Sequence, residues 1–237
     1  MQGIRSFFFS IIMMTNTVIL AIATGLLIFF PFQTRAKYIK MYPKFNIWIL
    51  RLICNVHFEV KGVENIPKEG GYIIFSNHQS TWETFAFQLI FPGISFVTKK
   101  ELLYVPLFGW ALALLKPIAI KRSSGRAALK QLIEQGISRL KEGIVVVIFP
   151  EGTRTPPGVI AEYKKGGGIL AEKSGYPVIP VAHNAGYYWP KRGFYKKSGV
   201  ITVHIGEAIT TKDKKAKEIS DLAETFIRSH IEPANYL

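Results

Sequence analysis

A single cysteine, Cys54, excludes an intramolecular disulfide and a cysteine-rich metal centre. With Leu52 and Ile53 beside it, the thiol reads as a packing group, and the missing disulfide framework suits a reducing compartment. Acidic residues are also scarce: 16 Asp and Glu stand against 30 Lys and Arg, a formal charge of +14. Such a surplus attracts polyanions, whether nucleic acid, an anionic lipid surface or phosphorylated substrates, without choosing among them. The chain lacks zinc-ligand spacing, a dinucleotide fingerprint and a Gly-x4-Gly-Lys-Ser/Thr loop, so no metal and no nucleotide cofactor is implied. His57, His183, His204 and His230 share no converging spacing and read as structural or surface residues. Internal repeats and low-complexity linkers are absent.

What is abundant is apolar surface, at 49% hydrophobic residues. Residues Phe7 to Phe32 carry no charge and exceed the roughly 20 residues a helix needs to cross a bilayer. The run is longer than the hydrophobic core of a cleavable signal, and no small-x-small site follows it. Arg35, Lys37, Lys40 and Lys44 follow the run and only Arg5 precedes it, which places the remainder of the chain on the cytoplasmic face of the inner membrane. From Tyr38 to Ile53, aromatic and aliphatic residues interleave with Lys40, Lys44 and Arg51. This pattern fits an interfacial helix with snorkelling cations, or equally a first domain helix packing on a sheet, with Pro43 as a point of interruption. A one-leaflet hairpin and a spanning helix both remain open.

Residues 1–56 therefore read as a membrane-anchoring helical segment, one helix or a two-helix motif, and 57–237 as an α/β domain in which a mixed sheet is flanked by helices. Strands are predicted at 71–76, 94–98, 118–120, 144–149, 178–182 and 200–205. Helices are predicted at 81–90, 124–142, 167–173 and 217–230, with Ser123 or Ser124 capping the second of these.

The chemistry concentrates where the first of these strands meets its helix, in Asn77-His78-Gln79-Ser80-Thr81-Trp82-Glu83. His78 suits a general base near neutral pH, and Glu83 suits the carboxylate that orients it and stabilises its imidazolium. Five residues apart on one helix they would face different directions, so the pair requires His78 to precede the helix. A competing reading is local: Ser80-x-x-Glu83 is a capping box, with Ser80 at the N-cap. Further along, Phe149-Pro150-Glu151-Gly152-Thr153-Arg154 follows an apolar strand. Arg154 there can grip a phosphate in a bidentate fork, Gly152 allows close backbone approach, and Glu151 can orient that arginine or a substrate hydroxyl. Lys164 to Gly168 reads as a site wall, and Leu107, Phe108 and Trp110 are candidates either for an apolar ligand tunnel or for plain core.

Four blocks together resemble the glycerolipid acyltransferase family that makes phosphatidic acid from lysophosphatidic acid. Asn77-His78 through Glu83 resembles its Asn-His-x4-Asp block. Pro117 to Arg122 is similar to its second block, Phe149 to Arg154 matches the third, and Val178-Ile179-Pro180-Val181 looks like the fourth. Two departures stand out: Glu83 replaces the usual Asp, and Lys121 stands where an acid often precedes Arg122. The resemblance implies catalysis by His78 and Glu83. It also implies substrate contacts from Lys100, Lys121, Arg122, Glu151, Gly152, Thr153 and Arg154. Acyl-coenzyme A or acyl carrier protein would be the co-substrate, membrane lipid and lysophosphatidic acid the partners, and nucleic acid none. Another lyso-lipid, such as a lyso-ornithine lipid, or a non-catalytic basic membrane binder, are the alternatives.

Overall fold

The computed structural model describes residues 1–24, 29–106, 108–159, 161–191 and 193–231. Leu107 and the segment 25–28 of the N-terminal apolar run lie outside these residues. Three helices come first, α1 (Gln2–Thr24), α2 (Phe32–Ile39) and α3 (Met41–Cys54). The break between α2 and α3 falls at Lys40 and not at Pro43, which sits buried in the first turn of α3. Proline belongs there, because its missing N–H removes only a bond back into the preceding turn. Asn55, in the left-handed conformation with φ 54°, ends α3 and turns the chain into the sheet.

Seven strands form one mixed sheet in the order β1-β7-β6-β2-β5-β3-β4. They are β1 (Val56–Lys61), β2 (Ile73–Ser76), β3 (Ile94–Lys99), β4 (Ile118–Ile120), β5 (Val145–Ile148), β6 (Val178–His183) and β7 (Gly199–Ile205). All neighbours run parallel except β6 and β7, so β2 to β6 point one way and the edge pair β1 and β7 the other. Every residue of β2, β5 and β6 is buried, as expected of central parallel strands covered on both faces. β1 was not among the predicted strands; its alternation of buried and exposed residues is that of an edge.

One face of the sheet carries α6 (Arg126–Lys141), α7 (Gly166–Ser174) and α9 (Ala216–His230), whose apolar stripes build a core with Ile73, Phe75, Val146 and Ala182. Serine does not cap α6: Ser123 and Ser124 lie in a 3-10 turn, and Gly125 holds the N-cap with no side-chain bond. That turn directs the chain end of β4 over the sheet edge, so the helix starts later than a serine cap would place it.

The opposite face carries α4 (Trp82–Ile90), the one-turn α8 (Ala185–Tyr188), and α1 and α3. The N-terminal segment belongs to this core: Phe9, Ile47 and Leu50 cluster with Trp82, Phe85 and Val181. Fully buried Phe9 meets Trp189 edge to face, with ring centroids 5.3 Å apart at 90°. Burying such a ring contributes about 2–3 kcal/mol. Around Lys196 the same helix is latched by polar bonds, since the Lys196 N–H donates to Ser6 Oγ (2.8 Å) and its Nζ to Ser10 Oγ (3.2 Å). The outer side of α1 is apolar as well, with Phe7, Phe8, Ile11, Met14, Val18 and Ile22 exposed. By length and composition α1 suffices to cross a membrane. On α3 Ile47, Ile49 and Leu50 face the core, as in a first domain helix, while Met41, Phe45, Trp48 and Leu52 face outward.

Candidate active site

The candidate site residues lie past the carboxyl ends of the parallel strands β2, β3, β4 and β5, where open α/β sheets place their ligands. His78 follows β2, Lys100 follows β3, Lys121 and Arg122 follow β4, and Glu151 to Arg154 follow β5.

His78 precedes α4, and its Nδ1 lies 2.7 Å from Glu83 Oε1. A carboxylate accepts, so Nδ1 carries the proton and Nε2 keeps a free lone pair. The same Oε1 also accepts the N–H groups of Gln79 (3.0 Å) and Ser80 (2.8 Å). Glu83 thus serves both the imidazole and the helix start, and the two sequence readings describe one atom. The capping box itself is half formed. The helix begins one residue later than expected, with Thr81 at the N-cap, and Ser80 Oγ accepts the Trp82 N–H at 3.0 Å. Glu83 is fully buried, and its Oε2 has no hydrogen-bond partner among the described residues. Burial opposes its ionisation, but the hydrogen bond and charge of His78 and the Ser80 amide prevail and hold its pKa below the ordinary value. Extra length in place of the shorter aspartate therefore still delivers one oxygen to three donors.

The main chain of His78 is gripped from the third block. Its N–H donates to Glu151 Oε2 (2.8 Å), and its carbonyl accepts the Thr155 N–H (2.7 Å). Glu151 does not pair with Arg154; parallel pairing of Phe75 with Ile148 brings its carboxylate beneath the His78 main chain. Phe149 stacks on the imidazole, centroids 4.0 Å apart and 11° from parallel. A second clamp joins β2 to β6: Asn77 Oδ1 accepts the His183 N–H (3.0 Å) and Nδ2 donates to the His183 carbonyl (2.8 Å). Buried His183 donates Nε2–H to the Asn77 carbonyl (2.9 Å) and accepts the Ala185 N–H at Nδ1 (3.3 Å), a single neutral tautomer. Burial lowers its pKa accordingly.

Burial pushes the Glu151 carboxyl up to about 7, against the His78 N–H and the Thr155 hydroxyl, with the charge of Glu83 adding to the rise. Its folded pKa lies above the ordinary 4.5, so the folded chain holds a proton that the unfolded chain has released. The resulting stabilisation is complete below 4.5 and disappears as pH rises through about 7, with a ceiling of about 3 kcal/mol. Glu151→Gln should remove this component of the slope in urea midpoints measured between those pH values. An unaltered slope would show that Glu151 does not titrate there.

The Glu151 to Arg154 loop is surrounded by cations. Gly152, at φ +69°, takes a conformation that favours glycine, and an added Cβ would lie 2.8 Å from Lys164 Nζ. Arg122 donates from Nη1 to the Gly152 carbonyl, and Lys191 Nζ donates to the Arg154 carbonyl (2.7 Å) and Thr153 Oγ1 (3.3 Å). The Arg154 guanidinium is half-buried and holds no carboxylate among the described residues. Lys100 and Lys121 are exposed, and neither side chain is tied to a protein partner among those residues. Lys191 was missed because an exposed lysine behind Trp189-Pro190 has no distinguishing spacing; only the fold brings it here. Phe108 and Trp110, 42% and 63% exposed, do not line a tunnel. Between them Gly109 sits so close to Leu103 that an added Cβ would lie 2.3 Å from its carbonyl oxygen, which turns both rings outward.

An imidazole with a free Nε2, a buried carboxylate behind it and a cationic loop beside it, at the carboxyl end of a parallel sheet, are the parts from which group-transfer sites are built. The chain belongs to the acyltransferase family, whose sequence profile matches residues 57–184. It is 47% identical over 227 residues to the 1-acyl-sn-glycerol-3-phosphate acyltransferase of Pseudomonas aeruginosa, covering 93% of this chain and 86% of that one. The enzyme of the same name from Saccharomyces cerevisiae is 33% identical over 74% of this chain, which spans 59% of the yeast protein. In fold it matches the crystal structure of the 1-acyl-sn-glycerophosphate acyltransferase PlsC from Thermotoga maritima, with a TM-score of 0.77 over 96% of this chain and 95% of that one, at 24% identity.

Proposed function

We propose that the chain acylates the sn-2 hydroxyl of lysophosphatidic acid from an acyl thioester, giving phosphatidic acid. The observation that carries this reading is His78: Nδ1 is engaged by Glu83, its main chain is held by Glu151 and Thr155, and Nε2 is left free. In the reaction Nε2 takes the hydroxyl proton while the oxygen forms a bond to the thioester carbonyl carbon. Collapse of the tetrahedral intermediate breaks the carbon–sulfur bond, and the imidazolium returns the proton to the departing thiolate. Glu83 offsets the transient positive charge. No side chain is acylated, so Ser80 is not required as a nucleophile. Its hydroxyl is engaged with the Trp82 amide.

Arg154, supported by Arg122 and Lys191, binds the phosphate; the similarly named relatives support this acceptor. Acyl-coenzyme A or acyl carrier protein brings the acyl group, and no cofactor is needed. The outward face of α1 and α3 rests in the inner membrane, with the site on the cytoplasmic side. Arg154→Lys keeps the charge but loses the planar fork, so the acceptor KM should rise roughly tenfold with kcat little changed. Steady-state kinetics against lysophosphatidic acid decide this, and equal KM values would remove Arg154 from the phosphate site. The function is tested with purified protein, lysophosphatidic acid and other lyso-lipids, both donor types, and product identification by mass spectrometry. Absence of any acylated product would overturn it.

A further inference from the structure

The connection between β3 and β4 has an unusual surface. Over nine residues it exposes Leu102, Tyr104, Val105, Phe108 and Trp110. Soluble surfaces seldom gather large apolar groups this way without a partner. The display is built into the backbone. The 3-10 turn Lys100–Tyr104 runs into α5 (Phe108–Ala113), and the Gly109 N–H donates to the Val105 carbonyl at 2.7 Å. With Gly109 seated on the Leu103 carbonyl, Phe108 and Trp110 have no inward alternative.

Two observations say what covers this face. α5 packs against α1, the helix on which Phe7, Phe8, Ile11 and Met14 are exposed. The segment is also bracketed by cations, Lys99 and Lys100 before it and Lys121 and Arg122 after β4, with Glu101 as its sole acid. Aromatic rings with polar edges beside lysines are the composition that settles at the level of lipid headgroups. A protein partner would need a complementary acidic rim, whereas a bilayer containing anionic lipid provides charge and hydrocarbon together.

We propose that the described residues 100–106 and 108–113 form a third lipid-contacting element, inserted at headgroup depth in a bilayer containing anionic lipid, beside α1 and α3. This rests on the membrane reading given above for those two helices. It brings the bilayer to the rim of the site, since the element begins directly after β3, whose end faces the His78 corner across β5. The acceptor then reaches the base by lateral movement from the lipid.

Tryptophan fluorescence of the full chain in vesicles of phosphatidylcholine and phosphatidylglycerol tests this. Trp48 and Trp110 are the exposed tryptophans, while Trp82 and Trp189 are buried, so Trp48→Phe isolates Trp110 and Trp110→Phe isolates Trp48 as the exposed reporter. The expected result is strong quenching of Trp110 by lipids carrying a nitroxide near the headgroup and weak quenching by acrylamide. Trp48 quenched but Trp110 untouched by nitroxide lipid would overturn this proposal alone. Quenching of neither would overturn it together with the membrane reading. Trp110→Glu should also raise the apparent KM for lyso-lipid presented in vesicles about tenfold, with Trp110→Phe restoring it; an unchanged KM in the glutamate variant counts against the insertion.

Discussion

His78→Ala is expected to lower kcat/KM by roughly 10³–10⁴-fold, the range over which a positioned general base contributes. The loss is expected on the chemical step, where a general base acts, and KM should change little. Folding should survive. Glu83 loses one of three donors but keeps the Gln79 and Ser80 amides, at a cost of about 1–2 kcal/mol. Burst-free steady-state turnover, measured beside the thermal unfolding midpoint, separates the two effects. A variant that turns over within tenfold of the parent would remove His78 from the mechanism.

Glu83→Gln probes the charge with the geometry retained. The amide oxygen can take over all three hydrogen bonds now accepted by Oε1, so His78 keeps its tautomer and α4 its first turn. What is lost is the negative charge facing an imidazolium in a buried setting, and kcat should fall roughly 10²–10³-fold. The amide nitrogen then occupies the place of Oε2, which has no partner among the described residues, so stability should also drop by about 1–3 kcal/mol. Full turnover with normal stability would reduce Glu83 to a helix cap. Removing the side chain altogether, as in Glu83→Ala, strips the Gln79 and Ser80 amides too and should be the more destabilising change.

Much of this site was legible because its parts are local or lie on strong periodic patterns. His78 and Glu83 occupy one strand-to-helix corner, and the run Val145–Ile148 could only be a buried strand, which fixed where Glu151 to Arg154 would stand. Partner choice across long separations was not legible. Glu151 bonding the His78 amide depends on β2 lying next to β5, a sheet order that alternation of strands and helices does not specify. Lys191 reaches the loop only through the turn after α8, and β1 escaped notice because an edge strand with half-exposed residues has little hydrophobic signal. The serine cap expected for α6 failed for a different reason: a 3-10 turn and a positive-φ glycine can replace a capping side chain where a helix starts at a sheet edge.

The bond between Ser6 Oγ and the Lys196 amide joins residues 190 positions apart in sequence. During synthesis α1 is made before the sheet, while the loop it must meet follows six of the seven described strands. Early contact with lipid gives that helix a place to wait without aggregating, and the finished sheet then closes over it. A helix made before the sheet is thus among the last elements to reach its final contacts.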